Sequence, residues 1–236
     1  MSALAGDIPA VTPLLVMGRM RQVLDPDGGS HVAVYARTGT GKTHLIVRMV
    51  LPMCHLSRVV IIDVKGDDRV WRGIGAEVDR LPADLSQGGG GPAGMWWRLV
   101  ADATRDPDQA GRVMRAALTQ IAAEGHCVVI LDEGLALAGV KDLVNQLLSR
   151  GRARGISVVI ASPEAVNAPT SMHRQWTVMF VGLNQDDDTQ DRIVKIGSLG
   201  RVPGIRTLLG EIPPRTFLYV DRAAGAPMLG LVEAPS

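Results

Sequence analysis

At 236 residues with 46% apolar composition, the chain is long enough for one large core, and it is read as a single domain over residues 1–236. Its formal net charge of +1 excludes coating of nucleic acid through bulk basicity, so any such contact must be local. The apolar runs, such as Val128–Leu131 and Val158–Ala161, fall far short of the roughly 20 residues needed to span a membrane.

The N-terminus lacks the basic start and long apolar stretch of a secretory signal, which predicts a cytoplasmic protein, and residues 1–30 read as an N-terminal extension. Cys54 and Cys127 lie in apolar settings and read as buried, unpaired thiols. The five histidines show no ligand spacing with cysteine or acid, which argues against a zinc site.

Taken in chain order, the first predicted strand is His31–Ala36, followed by Ala36–Thr43 (ARTGTGKT) and a helix over Lys42–Cys54. A strand entering a glycine-rich turn and then a helix makes a nest of backbone N–H groups at a positive helix end, a place for phosphate oxygens. Thr38, Gly39, Thr40, Gly41, Lys42, Thr43 and His44 are the candidate nucleotide-binding residues. Lys42 can reach the β- and γ-phosphates of ATP, and the Thr43 hydroxyl can ligate Mg²⁺. The full phosphate-loop pattern has glycine where this chain has Ala36.

Strands follow at Arg58–Asp63 and Cys127–Asp132, both apolar on two faces, as in a parallel sheet covered by helices. Between them, residues 84–95 include the tract SQGGGGPAG and read as a mobile surface loop, with Trp96 and Trp97 after it as packing anchors. Both strands end in acid, and either Asp63 or Asp132 can supply the metal-holding carboxylate. Asp132 is the better choice because Glu133 beside it can orient and deprotonate a water for attack on the γ-phosphate.

Further helices are predicted at Pro107–Glu124, started by Asp106 and Pro107, and at Val140–Arg150 and Asp187–Ile196, with Asp186–Asp188 capping the last. Strands are predicted at Ile156–Ala161 and Thr177–Val181. An antiparallel C-terminal hairpin pairs Thr216–Val220 with Met228–Val232 through Gly225.

The order of RTGTGKT, IIDVKGD (Ile61–Asp67), LLSRGRARGISVVIAS (Leu147–Ser162) and the terminal blocks resembles the FtsK/HerA superfamily of DNA-pumping ATPases. That resemblance implies a RecA-like α/β P-loop NTPase fold of the ASCE type, with a mainly parallel sheet flanked by helices and a C-terminal antiparallel hairpin. It implies ATP hydrolysis with Mg²⁺, a homo-oligomeric ring (hexamer or pentamer) and double-stranded DNA as partner. It also implies an arginine acting on the neighbouring subunit's site, for which Arg152 is the first candidate and Arg150 the second, with Arg154 in the same cluster. Lys65 can contact nucleotide or a neighbour, or remain a surface lysine, and Arg37 can face a neighbour or solvent.

Where the superfamily has a sensor glutamine, this chain has Ala161-Ser162-Pro163-Glu164, so Ser162 is the candidate heir. For a chain this short, the resemblance implies viral genome packaging, with a portal or membrane-associated partner, in host cytoplasm or at the virion vertex. Plasmid or conjugative DNA transfer, and a slow nucleotide-gated assembly switch, are the alternatives.

Overall fold

The computed structural model describes residues 8–25, 29–66, 69–133, 140–165, 175–222 and 228–235. The predicted hairpin turn at Gly225 lies outside them. Among the described residues nine strands form one sheet: β1 (His31–Tyr35), β2 (Arg58–Asp63), β3 (Ala76–Val78), β4 (Trp96–Val100), β5 (Cys127–Asp132), β6 (Ile156–Ser162), β7 (Trp176–Val181), β8 (Thr216–Asp221) and β9 (Met228–Glu233). Their spatial order is β3-β4-β2-β5-β6-β1-β7-β8-β9. Every pair from β3 to β7 is parallel, and β8 and β9 close the sheet antiparallel.

The six helices are α1 (Pro13–Val23), α2 (Lys42–Leu45), α3 (Pro107–Glu124), α4 (Val140–Arg150), α5 (Asp187–Gly197) and α6 (Ile205–Glu211), counted among the described residues. Successive strand residues feed opposite cores, because side chains alternate across a sheet. Val59 and Ile61 pack with α1 and the segment after the phosphate loop, whereas Val60 and Ile62 pack under α3 and α4. Both faces are therefore covered, which is why these strands read as unbroken apolar runs. Among the described residues, no helix is long and apolar enough to cross a membrane.

The predicted starts of α3 and α5 are capped as expected. Asp106 accepts from the Gln109 N–H at 2.9 Å, and Asp186 accepts from the Thr189 N–H at 2.7 Å.

The predicted helix over Lys42–Cys54 differs from the structure. α2 lasts one turn, widens into a π-helix over Ile46–Val50, and ends as a 3₁₀ turn over Leu51–Cys54. Pro52 explains the change, since its ring crowds the carbonyl four residues back and offers no N–H to the ladder.

Strands β3 and β4 and helices α1 and α6 are additions to the sequence reading. The glycine tract before β4 closes into turns over Trp96: Gly89 N–H donates to the Gly94 carbonyl at 2.9 Å, and Gly90 and Trp96 exchange backbone bonds of 2.8 and 3.0 Å. Trp96 and Trp97 are buried, and the Trp97 indole donates to the Leu85 carbonyl at 3.2 Å.

His31, at the start of β1, joins three elements. Its Nε2 lies 3.0 Å from the Leu148 carbonyl, and its Nδ1 accepts from the Val158 N–H at 3.2 Å. Burial pushes its pKa down to about 4; the Leu148 hydrogen bond opposes the shift and the Arg152 charge reinforces it. Because the folded value lies below the unfolded one, this stability is complete above about pH 6.5 and is lost as the pH falls towards 4. The linkage is worth roughly 3 kcal/mol. Urea denaturation at pH 7 and pH 4.5 should show the loss, and His31→Gln, which keeps a donor and an acceptor without titrating, should show a flatter slope.

Candidate functional site

The phosphate loop leaves the C-terminal end of β1. Ala36 N–H donates to the Ser162 carbonyl at 3.3 Å and Arg37 N–H to the Leu183 carbonyl at 3.0 Å, so both flanking strands anchor the loop. Thr40 turns its hydroxyl back to the Arg37 carbonyl at 2.6 Å, while Thr38 and Gly39 stay exposed at the mouth. Gly39 (φ 83°) and Gly41 (φ 104°) adopt left-handed backbone that a Cβ would strain, which lets consecutive N–H groups face one point.

Ala36 stands in for the expected glycine without a positive φ, and its methyl group packs where the neighbouring strand has receded. A Cβ on Gly182 would lie 2.7 Å from the Ala36 Cβ.

Lys42 is buried, and its Nζ donates to the Ala36 carbonyl at 2.8 Å and lies 3.5 Å from Glu133 Oε1. Desolvation lowers its pKa, opposed by the charges of Glu133 and Asp132. Thr43 donates its hydroxyl to Asp132 Oδ2 at 3.1 Å. The same oxygen accepts from the Trp71 indole at 2.8 Å. Burial raises the Asp132 pKa, the Trp71 and Thr43 hydrogen bonds counter it, and the Glu133 charge adds to it.

Thr43 and Asp132 thus present hydroxyl and carboxylate oxygens to one point. Among the described residues no cluster of three or more His, Cys, Asp or Glu could cage a metal by itself. Two hard oxygen donors of this kind suit Mg²⁺, which is seldom held by protein alone.

Asp63, the other acid weighed for the metal, is committed elsewhere. Arg98 donates to its Oδ2 at 2.7 and 3.2 Å, and its Oδ1 accepts from the Lys65 and Gly66 N–H groups at 3.1 Å each. Glu133 has a left-handed backbone (φ 66°), which costs a non-glycine residue roughly 1–2 kcal/mol. Its N–H donates to the Ala161 carbonyl at 3.0 Å, and Lys65 Nζ lies 2.9 Å from its Oε2.

Five predicted residues lie in other settings. The Ser162 hydroxyl is engaged within its own turn, donating to the Glu164 carbonyl at 2.9 Å. His44 Nε2 lies 2.6 Å from the Pro235 carbonyl and 2.8 Å from Arg215 Nη2, which ties the loop's helix to the C-terminal segment. Arg152 sits beside His31, at the edge of the sheet opposite the loop. Arg150, the last residue of α4, is exposed on that side. Arg154 donates to the Ala122 and Ala123 carbonyls at 2.7 and 3.2 Å, capping the end of α3.

Arg37 donates to Gln185 Oε1 at 3.3 Å. With Thr38, Glu164 and Asp186 it lines an open cleft of about 890 Å³. Sequence reasoning did not find Trp71, nor Arg215, whose N–H donates to the Thr40 carbonyl at 3.0 Å; both lie far along the chain and carry no local pattern.

No family model matches the chain, and no curated relative matches it. Solved structures do. The genome packaging NTPase B204 from Sulfolobus turreted icosahedral virus 2, in complex with sulfate, aligns with a TM-score of 0.65 at 14% identity, over 88% of this chain and 97% of that one. VirB4 of Thermoanaerobacter pseudethanolicus aligns with a TM-score of 0.63 at 12% identity, over 87% and 89%. The pCW3 conjugation coupling protein TcpA, with ATPγS, aligns with a TM-score of 0.55 at 15% identity, over 88% of this chain but 60% of that one. At such identities the likeness is one of fold. The chain accordingly has the fold that these solved structures share, a mainly parallel sheet flanked by helices.

Proposed function

We propose that the protein is an ATP-hydrolysing motor that moves double-stranded DNA, in the packaging of a viral genome. The observation that carries the reading is the convergence of the phosphate loop, the Thr43–Asp132 pair and Glu133 beside Lys42 on one sheet edge. The fold shared with B204 adds support.

In this reading Lys42 leaves the Ala36 carbonyl and Glu133 for the β- and γ-phosphates of ATP, and the N–H groups of Gly39–Thr43 cradle those phosphates. Thr43 and Asp132 would hold Mg²⁺, which would supply neutralisation of charge on the phosphate oxygens when bound. Glu133 accepts a proton from the attacking water. The subunits form a homo-oligomeric ring, a hexamer or pentamer, in which Arg152 of one copy completes the next copy's site. A portal or membrane-associated protein docks the ring at the virion vertex, or the ring works in host cytoplasm.

Two observations favour neighbouring readings. The likeness to the pCW3 conjugation coupling protein TcpA favours conjugative or plasmid transfer. The Ser162 hydroxyl, satisfied by Glu164, favours a slow nucleotide-gated switch, because a sensor already bonded locally responds weakly to a γ-phosphate.

ATP turnover with and without linear double-stranded DNA separates motor from switch. A motor is expected to speed up severalfold on DNA, with the stimulation fading as salt rises because the contacts are to phosphates. Slow turnover indifferent to DNA would overturn the motor.

A further inference from the structure

We propose that Lys65 is the positioning residue for the catalytic carboxylate, holding Glu133 through one oxygen so that the other faces the attacking water. This deepens, and rests on, the reading of Glu133 as the base.

The two carboxylate oxygens of Glu133 are engaged by different lysines. Oε1 faces Lys42 Nζ at 3.5 Å, and Oε2 faces Lys65 Nζ at 2.9 Å. Lys42 belongs to the phosphate loop and is drawn to phosphate oxygens when nucleotide enters. Its departure uncovers Oε1 on the side of Lys42, Thr43 and Asp132, where the γ-phosphate and its water must lie. Lys65 stands outside the phosphate loop, on the turn after β2, so its Oε2 contact is kept when Lys42 turns to phosphate and fixes the direction in which Oε1 points. Glu133 needs that hold, since its backbone stands in the left-handed region, with its N–H bond to Ala161 tying it to β6.

Lys65 is itself placed by buried charge. Asp63 Oδ1 accepts from the Lys65 and Gly66 N–H groups, closing the turn after β2. Asp63 Oδ2 is gripped by Arg98 at 2.7 Å, with both side chains almost wholly buried. Arg98 also reaches Glu77 at 2.7 Å, and Glu77 is two-thirds exposed. A continuous chain of charge-assisted contacts therefore runs from the outer strands β3 and β4 to the carboxylate. Such contacts are shorter and stronger than neutral ones, which suits them to fixing a geometry. Breaking the last link leaves the fold intact, because the Lys65 side chain is one-third exposed.

The test measures steady-state kcat and KM, nucleotide affinity with a fluorescent ATP analogue, and melting temperature, for the full chain carrying Lys65→Met, Lys65→Arg, Glu133→Gln and the Met/Gln double variant. Lys65→Met is expected to lower kcat roughly 10- to 100-fold, the scale of a misplaced catalytic group, with KM, affinity and melting temperature unchanged. Lys65→Arg is expected to recover most of the loss. In the Glu133→Gln background, Lys65→Met is expected to cost nothing more.

A Lys65→Met enzyme with wild-type kcat beside a crippled Glu133→Gln would overturn the proposal and leave Glu133 as the base. So would equal losses in both backgrounds, or a change confined to KM. Wild-type turnover by Glu133→Gln would instead remove the base assignment itself. A Lys65→Met chain that does not fold would contradict the tolerance its exposure implies and count against the proposal.

Discussion

Glu133→Gln is expected to cut ATP turnover on the order of 10²–10⁴-fold, the range for losing a general base, while nucleotide still binds. Glutamine matches glutamate in size, so the contacts that set the residue's place survive: its N–H to the Ala161 carbonyl at 3.0 Å and its seat beside Asp132. What it loses is the ability to take a proton from water. In the proposed reading nucleotide binding relies on the N–H nest, Lys42 and the Thr43–Asp132 pair, none of which the substitution removes. Single-turnover hydrolysis with an affinity measurement on the same sample checks both halves. Loss of turnover with binding kept is the signature of a group acting only in the chemical step. Wild-type turnover would show that another group activates the water.

Arg152→Ala should have a comparable effect, with a loss of roughly 10³-fold or more if its guanidinium stabilises charge in a neighbour's transition state. The fold makes an action within one chain untenable. Arg152 lies beside His31 at the start of β1, and the phosphate loop begins after Tyr35 at its end, about 15 Å away along the strand. Arg154 spends its guanidinium on the end of α3, which leaves the exposed Arg152 and Arg150 as the candidates facing away from their own loop.

Mixing tests the trans action directly. Arg152→Ala subunits carry an intact Glu133, Glu133→Gln subunits carry an intact Arg152, and a mixed ring contains junctions with both. Turnover should reappear when the two inactive preparations are combined and should peak at intermediate ratios. Inactivity at every ratio would rule out Arg152, and the same series with Arg150→Ala would then decide for the second candidate.

The parts of this molecule legible in its sequence are those whose physics is local. β2 and β5 have their predicted limits because every residue from Val59 to Asp63 and from Cys127 to Asp132 is buried between two helical layers, leaving an unbroken apolar run. β4 escaped because Arg98 interrupts Trp96–Val100, and a lone arginine reads as exposed. Its burial is made possible by Asp63, a partner 35 residues earlier. α1 was hidden by Leu14 and Leu15, which are exposed and blur its apolar face.

At the site, the phosphate loop and the Asp132-Glu133 pair were readable from spacing, and the structure brings them within hydrogen-bond or ion-pair distance. The contacts made by Trp71, Arg98 and Arg215 were not readable, since each joins segments that only the sheet order brings together.

The exchange between Ala36 and Gly182 bears on how such proteins are found. The phosphate-loop pattern treats its first glycine as a property of one position, whereas here the space that glycine would leave is supplied by the adjacent strand. The two positions form one steric unit, with a methyl on one side and a hydrogen on the other. A search that demands glycine at the first position passes over this chain. One that scores residue 36 jointly with Gly182, its neighbour on the adjacent strand, keeps it.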